Sequence, residues 1–202
     1  MLNDINLSLF SLINATPITS SSTLTLAIFV AKQLILIFPF ITIVCWLWGS
    51  PKELVCQRIF VCKTALALII GLAISSFIET IFPQDRPFML GIGQHFLAHA
   101  PTPSFPSNHG TIAFTFAFGF LFWLRNWIGL LLFIPAFMIA WARIFLGIHW
   151  PLDMAGAFLT AIMACGISQT IWEVGGYKLL PYIIKAYQIL FASLIKKGWI
   201  LK

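Results

Sequence analysis

The chain has 202 residues, of which 60% are hydrophobic and only 9% are charged. So few charged side chains could not cover the surface of a water-soluble domain, and this composition therefore excludes an ordinary soluble globule. The net charge of +6 would suit a nucleic-acid partner, but the basic residues are sorted by side of the membrane, as described below. This sorting favours a membrane protein with no nucleic-acid partner.

Five apolar runs are long enough to be membrane spans. A hydrocarbon layer of about 30 Å takes about 20 helical residues to cross. The runs are 24–48, 59–82, 107–124, 127–148 and 151–172. Because no internal repeat or long linker separates them, residues 1–202 are predicted to form a single all-α membrane domain, a polytopic bundle of about five helices.

The two terminal segments are predicted to lie along the membrane surface. The first 20 residues contain no Lys or Arg, so they lack the basic region of a cleavable signal peptide, and their apolar stretch 5–16 suits an interfacial segment. Residues 176–202 intersperse lysines with Leu, Ile, Tyr and Trp, a pattern typical of an amphipathic helix on an anionic membrane surface. A sixth span there is less favoured, because it would carry Lys196 and Lys197 across the membrane.

Most basic residues fall on one side of the membrane if the five spans alternate in direction. They are Lys52, Arg58, Lys63, Arg125, Lys178, Lys185, Lys196, Lys197 and Lys202. The positive-inside rule makes this side cytoplasmic. The C-terminus is therefore expected inside, and the long connection 83–106 outside.

Three basic residues escape this sorting, namely Lys32, Arg86 and Arg143. A charge inside the bilayer costs about 2.5–3.5 kcal/mol on insertion scales, so such residues are usually paired, exposed to water or functional. All four histidines, together with Asp85 and Asp153, fall on the same outer side. This asymmetry indicates a functional site at the outer ends of the spans.

Two motifs on the outer side are suited to binding an anion. In DRPF, Arg86 offers a planar set of donors to a phosphate or a carboxylate. In PSNH, which ends at His109, Ser107 or Asn108 can cap the third span. The free N–H groups of the helix N-terminus would then form a ready anion site.

A third motif, RIFLGIHWPLD, adds a group that can attack. Asp153 follows His149 by four residues, so its carboxylate can hold one imidazole nitrogen protonated and leave the other free. Two arginines, one helix N-terminus and two histidines suit phosphoryl transfer, in which one His is the nucleophile and the other protonates the leaving oxygen.

Together these motifs resemble the signature of the type 2 phosphatidic acid phosphatase superfamily, KxxxxxxRP, PSGH and SRxxxxxHxxxD. The resemblance covers residues 79–153, and the contexts RPF, FPSNH and HWPLDM are most similar to those of the bacitracin-resistance-type undecaprenyl-diphosphatases. It implies a bacterial enzyme, in the cytoplasmic membrane with its site facing outward, that hydrolyses undecaprenyl diphosphate to undecaprenyl phosphate and inorganic phosphate. Such an enzyme would recycle the lipid carrier of peptidoglycan synthesis.

The resemblance also implies a role for each matching residue. His149 would attack the terminal phosphorus to give a phosphohistidine, with Asp153 orienting it, and His109 would protonate the leaving lipid monophosphate. The phosphate would be held by Arg86, Arg143, Ser107 and Asn108. Enzymes of this family need neither a metal ion nor another cofactor. Other lipid phosphates, such as phosphatidylglycerophosphate or phosphatidic acid, stay open as substrates, as do phosphotransfer to another lipid and the oligomeric state.

Three positions depart from the signature. Glu79 stands in place of its Lys, Asn108 in place of its Gly, and Ala142 in place of its Ser. The change at Glu79 reverses a charge that should meet phosphate. We expect Lys32 to reach the site from the first span and to pair with Glu79 or with the phosphate, the alternative being a structural ion pair inside the bundle.

Two further interpretations compete with a phosphatase site. His95 and His99 could form a metal-ligand pair if their loop were helical, but no nearby carboxylate or Cys completes the set, and a loop surface or lid is favoured. A lipid transporter is the alternative from another class. It predicts ionisable residues along the depth of the bundle and often a repeated half, whereas here these residues gather at one end.

Overall fold

The computed structural model describes residues 2–49, 52–124 and 127–202. Within these ranges every regular element is a helix, which confirms the all-α class. The α-helices are α1 (Leu2–Ile13), α2 (Ser21–Lys32), α3 (Ile37–Trp48), α4 (Leu54–Ile81), α5 (Asn108–Gly119), α6 (Trp127–Phe145), α7 (Pro151–Ile171), α8 (Tyr177–Leu190) and α9 (Ala192–Lys196). Arg125, which the sequence assigns to the cytoplasmic side, lies outside the described residues.

The helices account for the apolar runs, although their lengths differ from the prediction. In the described part of the chain, three stretches are long and apolar enough to cross a membrane, namely Ser21–Trp48, Leu54–Ile81 and Pro151–Leu190. Two shorter apolar helices cover Asp4–Ile13 and Gly129–Phe145. These helices make the chain a membrane protein, while the count of about five spans stays a prediction.

The first predicted span is divided by a turn. A 3-10 turn, Leu34–Leu36, separates α2 from α3. Pro39 lies in the first turn of α3, and because it has no N–H it cannot donate to the carbonyl of Ile35 as a continuous helix would require. The turn therefore follows from the position of this proline.

The last predicted span, in contrast, does not end where the sequence pattern suggests. A π-helical segment, Trp172–Gly176, joins α7 to α8 without a break. The tail after α9 then folds back, and the Leu201 N–H donates to the carbonyl of Leu47 over 2.9 Å. The helix α8 buries Leu180 and Tyr187 and exposes its lysines, as the amphipathic pattern predicts, while its placement on a membrane surface stays a prediction.

The centre of the bundle is α5, which packs against α4, α6 and α7. Nearly every residue from Gly110 to Gly119 is buried. The N-termini of α5 and α7 meet at the same end of the bundle, because the Ser107 N–H donates to the carbonyl of Asp153 over 3.2 Å. This end also receives the connection between α4 and α5, so the three motifs converge there.

The N-terminal helix α1 lies across the same end. Its Phe10 is buried and contacts the ring of Trp150, with the ring centroids 5.0 Å apart. Several of its other apolar side chains, including Leu9 and Leu12, are exposed. One face of α1 is therefore packed on the loop between α6 and α7. The other face exposes apolar side chains, as a segment at a membrane interface would.

Candidate active site

The nucleophile candidate, His149, lies in the loop between α6 and α7 and is only 2% exposed. Its Nδ1 is 2.9 Å from Oδ2 of Asp153, which confirms the pairing predicted from their spacing. The same Oδ2 accepts a hydrogen bond of 2.8 Å from the backbone N–H of Trp150. Asp153 is the third residue of α7, where a carboxylate can reach back to the residue that precedes the helix. Helix capping and orientation of the imidazole are thus done by one side chain.

The tautomer of His149 follows from its second neighbour. Nη1 of Arg86 lies 2.9 Å from Nε2 of His149. A guanidinium can only donate, so Nε2 must be the acceptor and Nδ1 must carry the proton that is donated to Asp153. The lone pair on Nε2 is consequently the one available for attack on phosphorus.

The guanidinium of Arg86 is held almost entirely by the protein itself. It donates to the carbonyls of Thr102, Pro103 and Ile148 over 2.8, 2.8 and 2.9 Å, and to the hydroxyl of Thr102 over 3.3 Å. Its contacts with the imidazole of His149 and with the hydroxyl of Thr102 can be exchanged without breaking a bond to the backbone. Arg86 therefore joins the long connection to the loop of His149 and leaves one N–H directed at the nucleophilic nitrogen.

Arg143 is buried but poorly satisfied. It is 3% exposed, and its two closest hydrogen-bond contacts, to the carbonyl of Ala31 and to Nε2 of His99, are both 3.4 Å long. Its Nε has no hydrogen-bond partner among the described residues. A buried donor without a partner costs about 1–3 kcal/mol. An anion placed between Arg143 and His149 would remove that cost.

The N-terminus of α5 supplies further donors. Ser107 is its N-cap residue, and the Ser107 hydroxyl accepts from the N–H of Gly110 over 3.3 Å, as one of the two sequence alternatives predicted. The same hydroxyl lies 3.4 Å from Nε2 of His149. The first N–H groups of a helix have no partner within it and attract anions. These groups belong to Asn108 and His109, which directly follow the serine whose hydroxyl lies near the nucleophile.

The charges around His149 favour its neutral form. Burial lowers its pKa well below the ordinary value of 6.5, and the nearby Arg143, Arg86, His99 and His109 lower it further. A neutral imidazole at physiological pH is the form that can attack. His109 is one of these neighbours. It lies half-buried at the start of α5, two residues after Ser107.

His99 belongs to the site, although the sequence predicted no more for it than a loop or lid. Its ring centroid lies 6.2 Å from that of His149, and its Nε2 faces Arg143. Its neighbour His95 instead is exposed and stacks on Phe88, with ring centroids 4.3 Å apart. The described residues contain no group of three or more His, Cys, Asp or Glu able to hold a metal ion.

Glu79 has a different partner from the one expected. Its Oε1 accepts a hydrogen bond of 3.1 Å from Nδ2 of Asn108, and no ion pair joins it to Lys32 in the described part of the chain. The structure therefore does not contain the Lys32–Glu79 pair, one of the two alternatives expected for Lys32. The helix packing keeps these two residues apart, because Lys32 lies on α2, which packs against α6, whereas Glu79 lies on α4, which packs against α5 and α7. The exposed Lys32 stays a predicted phosphate ligand.

Sequence reasoning also missed a clamp formed by α1. At its end, Asn14 accepts from the N–H of Gln94 over 2.7 Å and donates to the carbonyls of Gln94 and Phe145 over 3.0 and 3.1 Å. Near its start, Asn6 accepts from the N–H of Leu152 over 3.0 Å. The loop that carries His149 is thus held at both ends by one helix. No periodic pattern marks such isolated asparagines, so only their positions in α1 and directly after it could have suggested the contacts.

The chain is similar to known membrane phosphatases. Residues 60–175 match the family model described as PAP2 superfamily. The chain is 49% identical over 200 residues to "Putative undecaprenyl-diphosphatase YbjG" of Escherichia coli (strain K12), covering 99% of both chains. It is 28% identical over 173 residues to undecaprenyl-diphosphatase BcrC of Bacillus subtilis (strain 168), covering 84% of this chain and 85% of the other. The crystal structure of Aquifex aeolicus LpxE superimposes with a TM-score of 0.66 at 27% identity, covering 82% of this chain and 95% of the other.

Proposed function

Since the chain belongs to the PAP2 superfamily, we propose that this lipid phosphate phosphatase hydrolyses undecaprenyl diphosphate to undecaprenyl phosphate and inorganic phosphate. The names of the bacterial relatives support this substrate. The site would face outward from the cytoplasmic membrane of a bacterium, with the C-terminus inside. The reaction would return the lipid carrier to peptidoglycan synthesis, and its interruption would affect resistance to bacitracin.

The observation that carries the proposal is the arrangement around Nε2 of His149. Its lone pair accepts an N–H of Arg86, and the Ser107 hydroxyl at the N-terminus of α5 lies 3.4 Å away. The buried guanidinium of Arg143, whose Nε has no partner among the described residues, adds a further donor to this end of the bundle. Donors that surround a nucleophile in this way would hold the three non-bridging oxygens of a terminal phosphate and stabilise the charge that develops on them.

In the first step, Nε2 of His149 attacks the terminal phosphorus. The P–N bond forms as the bond from phosphorus to the bridging oxygen breaks, and the N–H of Arg86 moves from Nε2 to a phosphate oxygen. Asp153 accepts the hydrogen bond from Nδ1 and stabilises the positive charge on the imidazole ring. His109 gives a proton to the bridging oxygen, which leaves with the lipid monophosphate.

In the second step, a water molecule attacks the phosphohistidine from the side that the lipid has left. His109, now neutral, accepts a proton from this water. The P–N bond breaks, inorganic phosphate is released, and His149 returns to its starting form. Atoms and charges balance through the chain's own residues and water.

The test is the release of inorganic phosphate from undecaprenyl diphosphate by the purified full-length protein. We expect His149→Ala to lower kcat by about 10³-fold or more, since the loss of a nucleophile removes the whole covalent route. Substrate labelled in its terminal phosphate should transfer the label to the wild-type protein as an acid-labile, base-stable adduct, and not to the variant.

The matched control is His95→Ala, which removes an exposed histidine of the same outer region that stacks on Phe88. This variant should keep wild-type turnover. Normal turnover in His149→Ala would eliminate the proposed nucleophile. Hydrolysis of phosphatidylglycerophosphate or phosphatidic acid with a higher kcat/KM than undecaprenyl diphosphate would replace the proposed substrate but keep the mechanism.

A further inference from the structure

An apolar cavity of about 490 Å³ lies between α5, α6 and α7. Its walls include Phe114 from α5, Phe137 from α6, and Met154 and Phe158 from α7. We propose that this cavity holds the first isoprene units of the lipid diphosphate, with the end nearest the phosphate beside Met154. The inference rests on the proposed function and assigns to that site the part that recognises the hydrocarbon chain.

One wall residue of the cavity, Met154, lies at the catalytic end of the bundle. Met154 directly follows Asp153, and Gly110 directly follows His109. A Cβ on Gly110 would lie 3.2 Å from Sδ of Met154, so these two residues are in contact. The end of the cavity at Met154 is therefore next in sequence to the carboxylate that orients the nucleophile and in contact with the residue that follows the general acid.

From that end the cavity extends along the helices and away from the phosphate-binding donors. Phe114 stands four residues after Gly110, and Phe158 four residues after Met154. Four helical residues correspond to about 6 Å along the axis. In the proposed reaction, His109 protonates the oxygen that stays with the lipid. The hydrocarbon chain attached to that oxygen therefore begins near His109, at the Met154 end of the cavity.

The cavity also opens towards the surrounding lipid. Ala155 is exposed, and Leu159 is 61% exposed at the cavity's edge. A polyprenyl chain could consequently enter sideways from the bilayer, with its apolar carbons never passing the charged groups at the end of the bundle. This arrangement supplies a lateral entry route for the substrate.

A second apolar cavity, of about 630 Å³, is larger but is placed at the wrong depth. It is lined by residues of α4 and by the π-helical segment, among them Ala65 and Trp172. Ala65 precedes Glu79 by 14 residues on α4, which is about 21 Å along the helix axis. This cavity therefore lies far from the end at which the phosphate would be bound.

The test compares two substrates that share the diphosphate and differ in chain length, undecaprenyl diphosphate and isopentenyl diphosphate. Ala155→Trp and, independently, Leu159→Trp would fill the cavity from its exposed edge. Each should lower the ratio of kcat/KM for the long substrate to that for the short one by at least about 10-fold, the size of effect expected when apolar substrate groups lose their pocket. Ala65→Trp, an exposed alanine changed in the same way in the other cavity, should leave the ratio as in the wild type.

The inference is overturned if both cavity-filling variants keep the wild-type ratio, including the case in which hydrolysis of both substrates falls equally. It is also overturned if Ala65→Trp lowers the ratio as much as they do. A wild-type protein that hydrolyses neither diphosphate would instead refute the proposed function, so the two failures are distinguishable.

Discussion

Asn108 donates a hydrogen bond of 3.1 Å to Glu79, so two of the three residues at which the chain departs from its family signature contact each other. The carboxylate of Glu79 also acts on the phosphate-binding region. Burial lowers the pKa of Arg86, while the charges of Asp153 and Glu79 oppose that shift. Next to the site, the lysine and the glycine of the signature are thus replaced by a carboxylate and an amide that form a hydrogen bond with each other.

This pair should weaken the binding of inorganic phosphate. Glu79→Gln keeps an oxygen that can accept from Asn108 but removes the negative charge. At an effective dielectric constant of about 20, one charge at about 10 Å changes an interaction by about 1.7 kcal/mol, so the inhibition constant of inorganic phosphate should fall by up to about 17-fold. The measurement is product inhibition of turnover, and an unchanged or higher inhibition constant would contradict the expectation.

The clamp at Asn14 should affect catalysis more than substrate binding. Asn14→Ala would free the N–H of Gln94 and remove one of the two hydrogen bonds that the carbonyl of Phe145 accepts, so the loop of His149 would be held less firmly. We expect kcat to fall by about 10-fold or more with a smaller change in KM, because a loosely held nucleophile is less often in the reactive geometry.

Ser8→Ala is the control for the clamp, since the exposed Ser8 hydroxyl bonds only to a carbonyl of its own helix. It should not change kcat. Equal losses in kcat for Asn14→Ala and Ser8→Ala would mean that α1 contributes only general stability.

The carboxylate of Asp153 should set the tautomer of His149. In Asp153→Asn an amide can turn its N–H towards Nδ1, which would force the proton onto Nε2 and block the lone pair needed for attack. By analogy with the loss of the orienting carboxylate in a catalytic triad, kcat should fall by about 10³–10⁴-fold. Asp85→Asn, which changes an exposed carboxylate beside Arg86, should have a small effect in the same turnover assay.

The two arginines should respond differently to replacement by lysine. Arg86→Lys would leave several backbone carbonyls without their donors, and each such buried group costs about 1–3 kcal/mol. It should lower the midpoint of thermal unfolding as well as turnover. Arg143→Lys breaks only two contacts of 3.4 Å, so it should raise KM and change the unfolding midpoint less. The opposite ranking of the two variants would show that Arg143, and not Arg86, holds the loops together.

The parts of the site that sequence could predict are those set by local geometry. The four-residue spacing of His149 and Asp153 and the N-cap at Ser107 depend on a single helix turn, and the structure confirms both. The contacts of His99 and Asn14 depend instead on how an irregular connection folds back on the bundle. Lys32 illustrates a third case, because hydrophobic patterning predicts helices but not which helices pack together.

The stability of the protein should decrease as the pH falls below about 6.5, the ordinary pKa of histidine. Burial, with the charges of Arg143 and Arg86, lowers the pKa of His149 in the folded protein, so in this range the unfolded state binds a proton that the folded state does not. For this group, the free energy of unfolding should then fall by up to about 1.4 kcal/mol for each pH unit of acidification, and this dependence on pH disappears above the ordinary pKa.

His149→Gln removes this titrating group, so unfolding midpoints measured between pH 7.5 and 5 should decline less steeply in the variant than in the wild type. Because the pKa of His99 is also lowered by burial, some decline should persist in the variant, whereas parallel profiles would mean that His149 does not titrate differently in the two states.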